Sequence, residues 1–169
     1  GASVSAGDGS GACSCAGGCI GPLLLVAGGQ EGDLFTASAA LQVFDGAAWT
    51  LRAPMPAPRW GAASCVVGGK LVVSAGWHRR GLQTKPCRDT VVYDPATDAW
   101  TAAAPPPSPP RPCSTMVTFR GTALLLGGAG PPIALSPALD EWRPCRLGDD
   151  VDLHCPELRY WAIAAVGEL

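Results

Sequence analysis

The apolar residues of this chain fall in short runs that are separated by glycine or aspartate–proline turns. The clearest example lies between Arg59 and Trp100. Four runs follow one another there, at residues 62–67, 71–75, 90–93 and 100–103. Short runs of branched and small residues between such turns predict four antiparallel β-strands. None of the runs has the length or the period of an amphipathic helix.

The same pattern recurs along the chain with a period near 50 residues. Three kinds of marker share this period: a tryptophan after the third run, an arginine that opens each unit, and a glycine that ends each second run. They are Trp49, Trp100 and Trp142, separated by 51 and 42 residues; Arg59, Arg111 and Arg159, separated by 52 and 48; and Gly28, Gly76 and Gly127, separated by 48 and 51. A period of this length is typical of propeller or solenoid arrays.

The markers divide the chain into consecutive segments. Residues 19–58, 59–110 and 111–158 form three repeats, and residues 159–169 begin a fourth. Residues 1–18 are low in complexity, rich in Gly, Ala, Ser and Cys, and we interpret them as either disordered or a degenerate strand.

These residues resemble the kelch repeat. The likeness is carried by Gly28-Gly29 and Gly127-Gly128 after apolar runs, by Tyr93-Asp94-Pro95 followed by Trp100, and by the proline–arginine openers at Pro58-Arg59 and Pro110-Arg111. Departures occur: Trp77 replaces the second glycine of the central unit, and Phe44 and Leu135 replace the tyrosine. The departures suggest a divergent member of the family.

The resemblance implies an all-β fold, a kelch-type β-propeller of four-stranded antiparallel blades. The first strand of each blade would lie nearest the channel, where small residues such as Ala63 and Ser64 fit. The second would be buried on both faces. Propellers close with ~4–8 blades, so three repeats predict an incomplete propeller, an open arc that is a fragment of a longer one. A ring closed by several copies is the alternative.

Composition and charge exclude several partners. The net charge is −2 and the pI is about 5.6, which gives no reason to expect nucleic acid or an anionic membrane. The longest apolar run, 160–166, is too short to span a bilayer, and no targeting signal is recognisable. The irregular spacing of the eight cysteines favours reduced thiols and a cytoplasmic protein. The alternative is a secreted protein with disulfides among Cys87, Cys113, Cys145 and Cys155.

The most basic stretch, residues 78–88, joins the second and third strands of the central repeat. In kelch-like folds such loops share a face with the connectors between blades, a face that often binds extended peptides. We therefore expect a protein or an acidic peptide to bind there. The candidate residues are Arg59, His78, Arg79, Arg80, Lys85, Arg88, Arg111 and Arg159. Guanidinium groups suit carboxylates because they can bind them bidentately. The structural alternative is that the arginines cap strands and stack on tryptophans.

No catalytic site, metal or cofactor is predicted. Cys13, Cys15 and Cys19, like His154 and Cys155 near Cys145, lack a full ligand set at zinc spacing. The resemblance implies a non-catalytic interaction module, with further kelch blades of the parent chain as neighbours. It could be the substrate-recognition part of a ubiquitin-ligase adaptor with a BTB or F-box domain and a cullin. The alternative is an enzyme similar to galactose oxidase or a sugar epimerase, for which only Tyr93 and Tyr160 are available as tyrosines.

Overall fold

The computed structural model describes residues 15–31, 36–80, 83–107, 114–127 and 131–145, and the regular structure in these ranges is all β. In chain order the strands are β1 (Ala16–Ile20), β2 (Leu23–Ala27), β3 (Gln30–Glu31), β4 (Thr36–Ala37), β5 (Leu41–Phe44), β6 (Trp49–Arg52), β7 (Ala63–Val67), β8 (Lys70–Ser74), β9 (Trp77–Arg80), β10 (Gln83–Pro86), β11 (Thr90–Asp94), β12 (Ala99–Ala103), β13 (Thr115–Phe119), β14 (Thr122–Leu126), β15 (Ile133–Leu135) and β16 (Trp142–Pro144). The four runs predicted between Arg59 and Trp100 correspond to β7, β8, β11 and β12.

Twelve of these strands form three four-stranded antiparallel sheets, one for each repeat. The strand orders are β1-β2-β5-β6 in blade 1, β12-β11-β8-β7 in blade 2 and β13-β14-β15-β16 in blade 3. The remaining strands form two small hairpins, β3–β4 and β9–β10. Each hairpin lies between the second and third strands of its blade. The prediction of an all-β fold with four-stranded antiparallel blades is confirmed.

The first strand of blade 1 begins within the low-complexity segment. β1 starts at Ala16 and pairs with β2 over five residues, from Ala16↔Ala27 to Ile20↔Leu23. Its glycines are used in this packing. A Cβ on Gly18 would lie 2.6 Å from Cγ2 of Val66 in the next blade, closer than packed carbon atoms approach. Close packing against blade 2 therefore requires a small residue at this position of the low-complexity strand.

The blades pack face to face, and the central blade is buried on both sides. Successive residues of a strand point to opposite faces, so Leu71 and Val73 of β8 pack against blade 1 while Val72 packs against blade 3. Blade 1 contributes Leu25, Leu41 and Val43 to the first of these layers. Blade 3 contributes Met116, Leu125, Leu135 and Trp142 to the second. Burial on both faces explains why β8 is a continuous apolar run.

Blades 2 and 3 each donate an indole N–H hydrogen bond to the residue that follows the outermost strand of the preceding blade. Trp100 Nε1 donates to the Ala53 carbonyl at 2.7 Å, and Trp142 Nε1 donates to the Ala104 carbonyl at 2.7 Å. The backbone N–H of each of these alanines also donates a hydrogen bond to the following blade. Ala53 N donates to Asp98 Oδ1 at 3.0 Å, and Ala104 N donates to the Leu139 carbonyl at 2.9 Å.

The innermost strands are joined by hydroxyl groups. Ser64 Oγ accepts a hydrogen bond from Gly17 N at 2.8 Å and donates one to the Gly17 carbonyl at 2.9 Å. Thr118 Oγ1 donates to the Val66 carbonyl in the same way across the next interface. Strands β1, β7 and β13 thus lie side by side at the inner edge of the arc. Small and hydroxyl side chains there satisfy backbone groups that large apolar ones would leave without partners.

We expect Trp100→Phe to destabilise the chain more than its small loss of volume suggests. The substitution keeps an aromatic ring against Tyr93 but leaves the Ala53 carbonyl without its indole donor. An unpaired buried carbonyl costs about 1–3 kcal/mol. Urea unfolding monitored by circular dichroism measures the change, and Thr101→Ala, an exposed change on the same strand, is the control, expected within about 0.5 kcal/mol of wild type. Equal midpoints for the two variants would contradict the role given to the indole bond.

Candidate interaction face

One end of the blades carries the small hairpins and the connectors between blades. In an antiparallel blade the turns from second to third strand lie at the same end as the links to the next blade. Hairpin β9–β10 and the connector at residues 53–62 therefore meet. Trp60 N donates to the Trp77 carbonyl at 2.9 Å, Trp77 N donates back at 2.8 Å, and the two indoles stack with centroids 6.3 Å apart. We call this end the hairpin end.

Arg59 joins blade 1 to blade 2 at the hairpin end. Its backbone contacts blade 1, because Arg59 N donates to the Ser38 carbonyl at 2.9 Å and the Arg59 carbonyl accepts from Gly29 N at 2.9 Å. Gly28 makes this approach possible: its φ is +68°, and a Cβ there would lie 2.4 Å from the Arg59 carbonyl oxygen. The strand-ending glycine that recurs in the sequence is thus required by a close backbone contact.

The side chain of Arg59 points into blade 2. Only 1% of its surface is exposed. NH1 donates to the Ala75 carbonyl at 3.2 Å, and NH2 forms an ion pair with Asp89 Oδ2 at 2.6 Å. Nε is buried without a hydrogen-bond partner in the part of the chain that the structure describes. The guanidinium therefore holds the end of β8 to the start of β11. Direct contact of Arg59 with a partner stays a prediction, and its burial argues against it.

The exposed positive charge at this end comes from the hairpin. Arg79, Lys85 and Arg88 are all exposed. The register pairs His78 with Lys85 and Arg79 with Thr84, so His78 and Lys85 share one face of the hairpin while Arg79 lies on the other. Arg88 follows β10, one residue before Asp89. We call His78, Arg79, Lys85 and Arg88 the basic surface.

The base of the hairpin is closed by a contact between His78 and Cys87. His78 Nδ1 lies 3.3 Å from Cys87 Sγ, and Cys87 N donates to the Gly76 carbonyl at 2.8 Å. Burial raises the pKa of the Cys87 thiol, while nearby Arg59 partly offsets this effect. The imidazole is therefore anchored at the root of the hairpin, and the thiol beside it stays protonated near neutral pH.

The side chains of three predicted binding residues lie outside the description. Arg111 and Arg159 lie outside the described residues. The backbone of Arg80 pairs with Gln83 in β9, and its side chain lies outside the description. The structure thus brings together Arg59, His78, Arg79, Lys85 and Arg88, and places one of these five in the interior.

The tyrosine considered for catalysis has a structural place. Tyr93 is buried against Trp100, with ring centroids 5.2 Å apart, and its hydroxyl donates to Asp98 Oδ1 at 2.8 Å. Burial first, and the Asp98 hydrogen bond second, raise the pKa of Tyr93 to about 12. Asp98 Oδ1 in turn accepts from Ala53 N. Tyr93 therefore orients the carboxylate that caps the preceding blade. Tyr160 lies outside the described residues.

The described cysteines do not form disulfides. Cys15, Cys19, Cys65, Cys87 and Cys145 are free thiols, whereas Cys13, Cys113 and Cys155 lie outside the described residues. In the described ranges no group of three or more His, Cys, Asp or Glu side chains could hold a metal ion. Nor does any helix there have the length and apolarity to cross a membrane.

Comparison with known proteins bears on the repeat and on the fold. The family described as Kelch motif matches residues 58–107. No match was found among curated proteins. Among solved structures 154 chains match, including one described as "Structure of YjhT", with a TM-score of 0.57 and 22% sequence identity. That match covers 72% of this chain and 34% of the other, so this chain spans about a third of that protein's length.

The fold is therefore that of an incomplete β-propeller, in which four-stranded antiparallel blades pack face to face. Blade 2 coincides with the residues that match the Kelch motif, and the resemblance read from the sequence is confirmed.

Two features of this end were missed in the sequence. Residues 77–80 and 83–86 pair as two strands of a hairpin where a solvated loop was expected. The only local signal was Gly81 between two polar stretches of similar length. The second feature is the burial of Arg59. Its burial agrees with the structural alternative for the recurring arginines.

Removing the Arg59 guanidinium should loosen the junction between blades 1 and 2. Arg59→Met keeps the aliphatic stem but removes the contacts to Ala75 and Asp89. Because Asp89 is half exposed and can regain water, we expect a moderate loss of about 1–3 kcal/mol in the free energy of unfolding. Urea unfolding measures it. Arg88→Met, at an exposed arginine two residues after the end of β10, is the control and should change stability by less than about 0.5 kcal/mol. Similar losses in both variants would contradict the structural role of Arg59.

The rate of alkylation should differ between buried and exposed cysteines. Desolvation raises the pKa of the Cys65 thiol to about 11, so its thiolate fraction at pH 8 is about a thousandth. In the native chain iodoacetamide should therefore modify Cys65 at least ~100-fold more slowly than exposed Cys15, as followed by peptide mass spectrometry. In urea the two rates should converge. Fast labelling of Cys65 in the native chain would contradict its burial between blades 2 and 3.

Proposed function

We propose that this chain is a non-catalytic protein-interaction module that binds an acidic segment of a partner protein through the basic surface at the hairpin end. The observation that supports this most directly is the exposed charge of Arg79, Lys85 and Arg88 on a hairpin that blade packing does not require. Kelch repeats commonly mediate protein interactions, which agrees with the proposal.

The charge distribution favours an acidic ligand. Four of the twelve Lys and Arg residues lie between positions 79 and 88, although the whole chain has a net charge of −2. Asp89 is the single acidic residue between positions 77 and 89, and it is paired with Arg59. The hairpin segment therefore carries a net positive charge. Carboxylates approaching it would form charge-assisted hydrogen bonds with the guanidinium groups.

The hairpin is also held rigidly enough to act as a binding surface. Its base is fixed by the backbone bonds between Trp60 and Trp77, by the bond from Cys87 N to Gly76, and by the Arg59–Asp89 ion pair. Binding residues on loops work best when a rigid scaffold positions them, because less side-chain and loop entropy is lost on association. The buried arginine thus positions the basic surface without contacting the ligand.

A finer role for the module follows from the kelch family. We propose that it recognises substrate for a cytoplasmic ubiquitin-ligase adaptor of the BTB-kelch or F-box-kelch kind, assembled with a cullin. The free thiols of the described cysteines are compatible with a reducing compartment. We propose no enzymatic activity, since Tyr93 and Asp98 are both used in the contact between blades.

Binding of a fluorescent glutamate-rich peptide, measured by anisotropy, tests the basic surface. We expect Lys85→Glu/Arg88→Glu to weaken binding at least about tenfold, since two favourable charges become unfavourable. Affinity should also fall as salt rises from low to physiological concentration. Arg120→Glu is the matched control. Arg120 is exposed in the β13–β14 turn, at the opposite end of the blades, and its reversal should leave binding within about twofold of wild type.

A second peptide, with glutamine in place of each glutamate, separates charge recognition from other binding. It should bind weakly to every variant. Equal affinity of wild type and Lys85→Glu/Arg88→Glu for the acidic peptide would show that the basic surface is not the site. Equal weakening by Arg120→Glu would show that only the net charge of the chain matters.

A further inference from the structure

The β9–β10 hairpin has one strand edge that is paired and one that is open. β9 is covered on its outer side, because Trp77 and Trp60 exchange backbone hydrogen bonds. β10 (Gln83–Pro86) pairs with β9 and with no other strand in the described ranges. The side chains of residues 83–85 are exposed. A strand edge of this kind offers backbone donors and acceptors to an added strand.

The register determines which backbone groups of β10 point to the open edge. In an antiparallel pair, residues alternate between those that bond the partner strand and those whose N–H and C=O point away from it. Trp77 points away from β10, since its N–H and C=O bond Trp60, and its register partner Pro86 therefore also points outward. Two residues earlier, Thr84 does the same opposite Arg79. The open edge thus carries the Thr84 N–H, the Thr84 carbonyl and the Pro86 carbonyl.

The proline in β10 agrees with this assignment. Proline has no N–H to donate, and within sheets it is found where that group would face solvent. Pro86 therefore lacks a donor at the open edge and leaves the β9–β10 ladder intact. It also limits the edge, because an added strand finds no backbone donor at this position. The open edge accepts a short extended segment, bonded at Thr84 and at the Pro86 carbonyl.

The open edge is turned toward blade 3, which belongs to this chain. β4 of blade 1 contacts β9 of blade 2, so the second strand of one hairpin faces the first strand of the next. The corresponding neighbour of β10 would be a hairpin of blade 3. Blade 3, however, links β14 to β15 through residues 127–132, whereas the β9–β10 hairpin begins at Trp77 and ends at Pro86. The link is too short in sequence to place a like hairpin beside β10.

The charge of the hairpin identifies the occupant of this edge as an acidic segment. His78 and Lys85 lie on one face of the hairpin and Arg79 lies on the other. A strand added to β10 would place alternate side chains on these two faces, so each face would meet a positive charge. A glutamate directly opposite Lys85 would form a cross-strand pair of opposite charge. Lys85 itself discourages a second copy of β10 from pairing at this edge.

We propose that an acidic segment of a partner protein binds as an added strand on the open edge of β10. This inference rests on the function proposed above and gives it a geometry. The backbone of the segment bonds Thr84 and Pro86, and its carboxylates face the basic surface. The ligand is an extended run of consecutive acidic residues, because both faces of the hairpin are positive. A helical acidic segment has its N–H groups bonded internally, so it could not use this edge.

Thr84→Pro tests the backbone bond without altering charge. The N–H of Thr84 points outward, so proline removes the donor at the open edge and keeps the β9–β10 ladder. We expect it to weaken binding of the fluorescent glutamate-rich peptide about tenfold, measured by anisotropy. Thr84→Val keeps the N–H and the β-branched shape, so this matched control should bind within about twofold of wild type. Near-ultraviolet circular dichroism of the stacked Trp60 and Trp77 verifies that each variant keeps its hairpin.

Modified peptides test the same bond on the wild-type chain. A glutamate peptide that is N-methylated at every residue keeps its carboxylates but has no backbone donors. We expect it to bind at least roughly tenfold more weakly than the unmodified peptide. Methylation at alternate residues leaves one edge of the peptide with its donors, so that peptide should bind within about threefold of the unmodified one.

The outcomes separate this inference from the function on which it rests. Equal affinity of the fully methylated and unmodified peptides for the wild-type chain would overturn the added-strand geometry and leave charge recognition by the basic surface standing. Equal binding by Thr84→Pro and Thr84→Val would have the same meaning. Failure of the unmodified acidic peptide to bind the wild-type chain would overturn the proposed function itself, and the added strand with it.

Discussion

The contact on which the rest of this structure depends is the bond from a tryptophan indole to the carbonyl that follows the outermost strand of the preceding blade. The outermost strand has no further strand to pair with, and the chain must leave it to reach the next blade. The exit residue, Ala53 or Ala104, therefore loses its ladder partners where apolar surfaces begin to close over it. The next blade supplies both partners. A blade is fully hydrogen-bonded only when it has a neighbour, so the repeat has to be an array.

Arg59 applies the same principle at the hairpin end. Its backbone is bonded to blade 1 and its guanidinium to blade 2, so one residue fixes the position of two blades relative to each other. With the indole bonds at the outer edge and the Ser64 and Thr118 bonds at the inner edge, both interfaces between the described blades are fixed at separated points. This rigidity is what lets the β9–β10 hairpin present charge at a defined place. The arginines of this end therefore have two roles: Arg59 fixes the two blades, whereas Arg79 and Arg88 are exposed to solvent.

The sequence predicted those parts of the fold that follow from local rules. Continuous apolar runs such as 71–75 indicated strands buried on two faces. The spacing of Trp49, Trp100 and Trp142 indicated the repeat. It did not predict the β9–β10 hairpin, because His, Arg, Gln, Thr and Lys have no alternation that distinguishes a solvent-exposed hairpin from a loop. Nor could it place the Arg59 side chain. Burial of a charge depends on a partner thirty residues away, Asp89, and on a carbonyl exposed by the positive φ of Ala75, neither of which has a signature in the pattern around Arg59.

The side of blade 1 that carries Leu24, Phe44 and Trp49 shows that a blade builds its half of an interface from its own strands. Phe44 and Trp49 have the same centroid separation as Tyr93 and Trp100, although only the second pair is covered by another blade. The arrangement is therefore set within the blade, by the register of β5 on β6 and by the Asp45 side chain, which accepts hydrogen bonds from Ala47 N and Ala48 N in the turn between them. A face that is already ordered before contact loses little conformational entropy on binding. Preorganisation of this kind explains how a tandem array can assemble blade by blade.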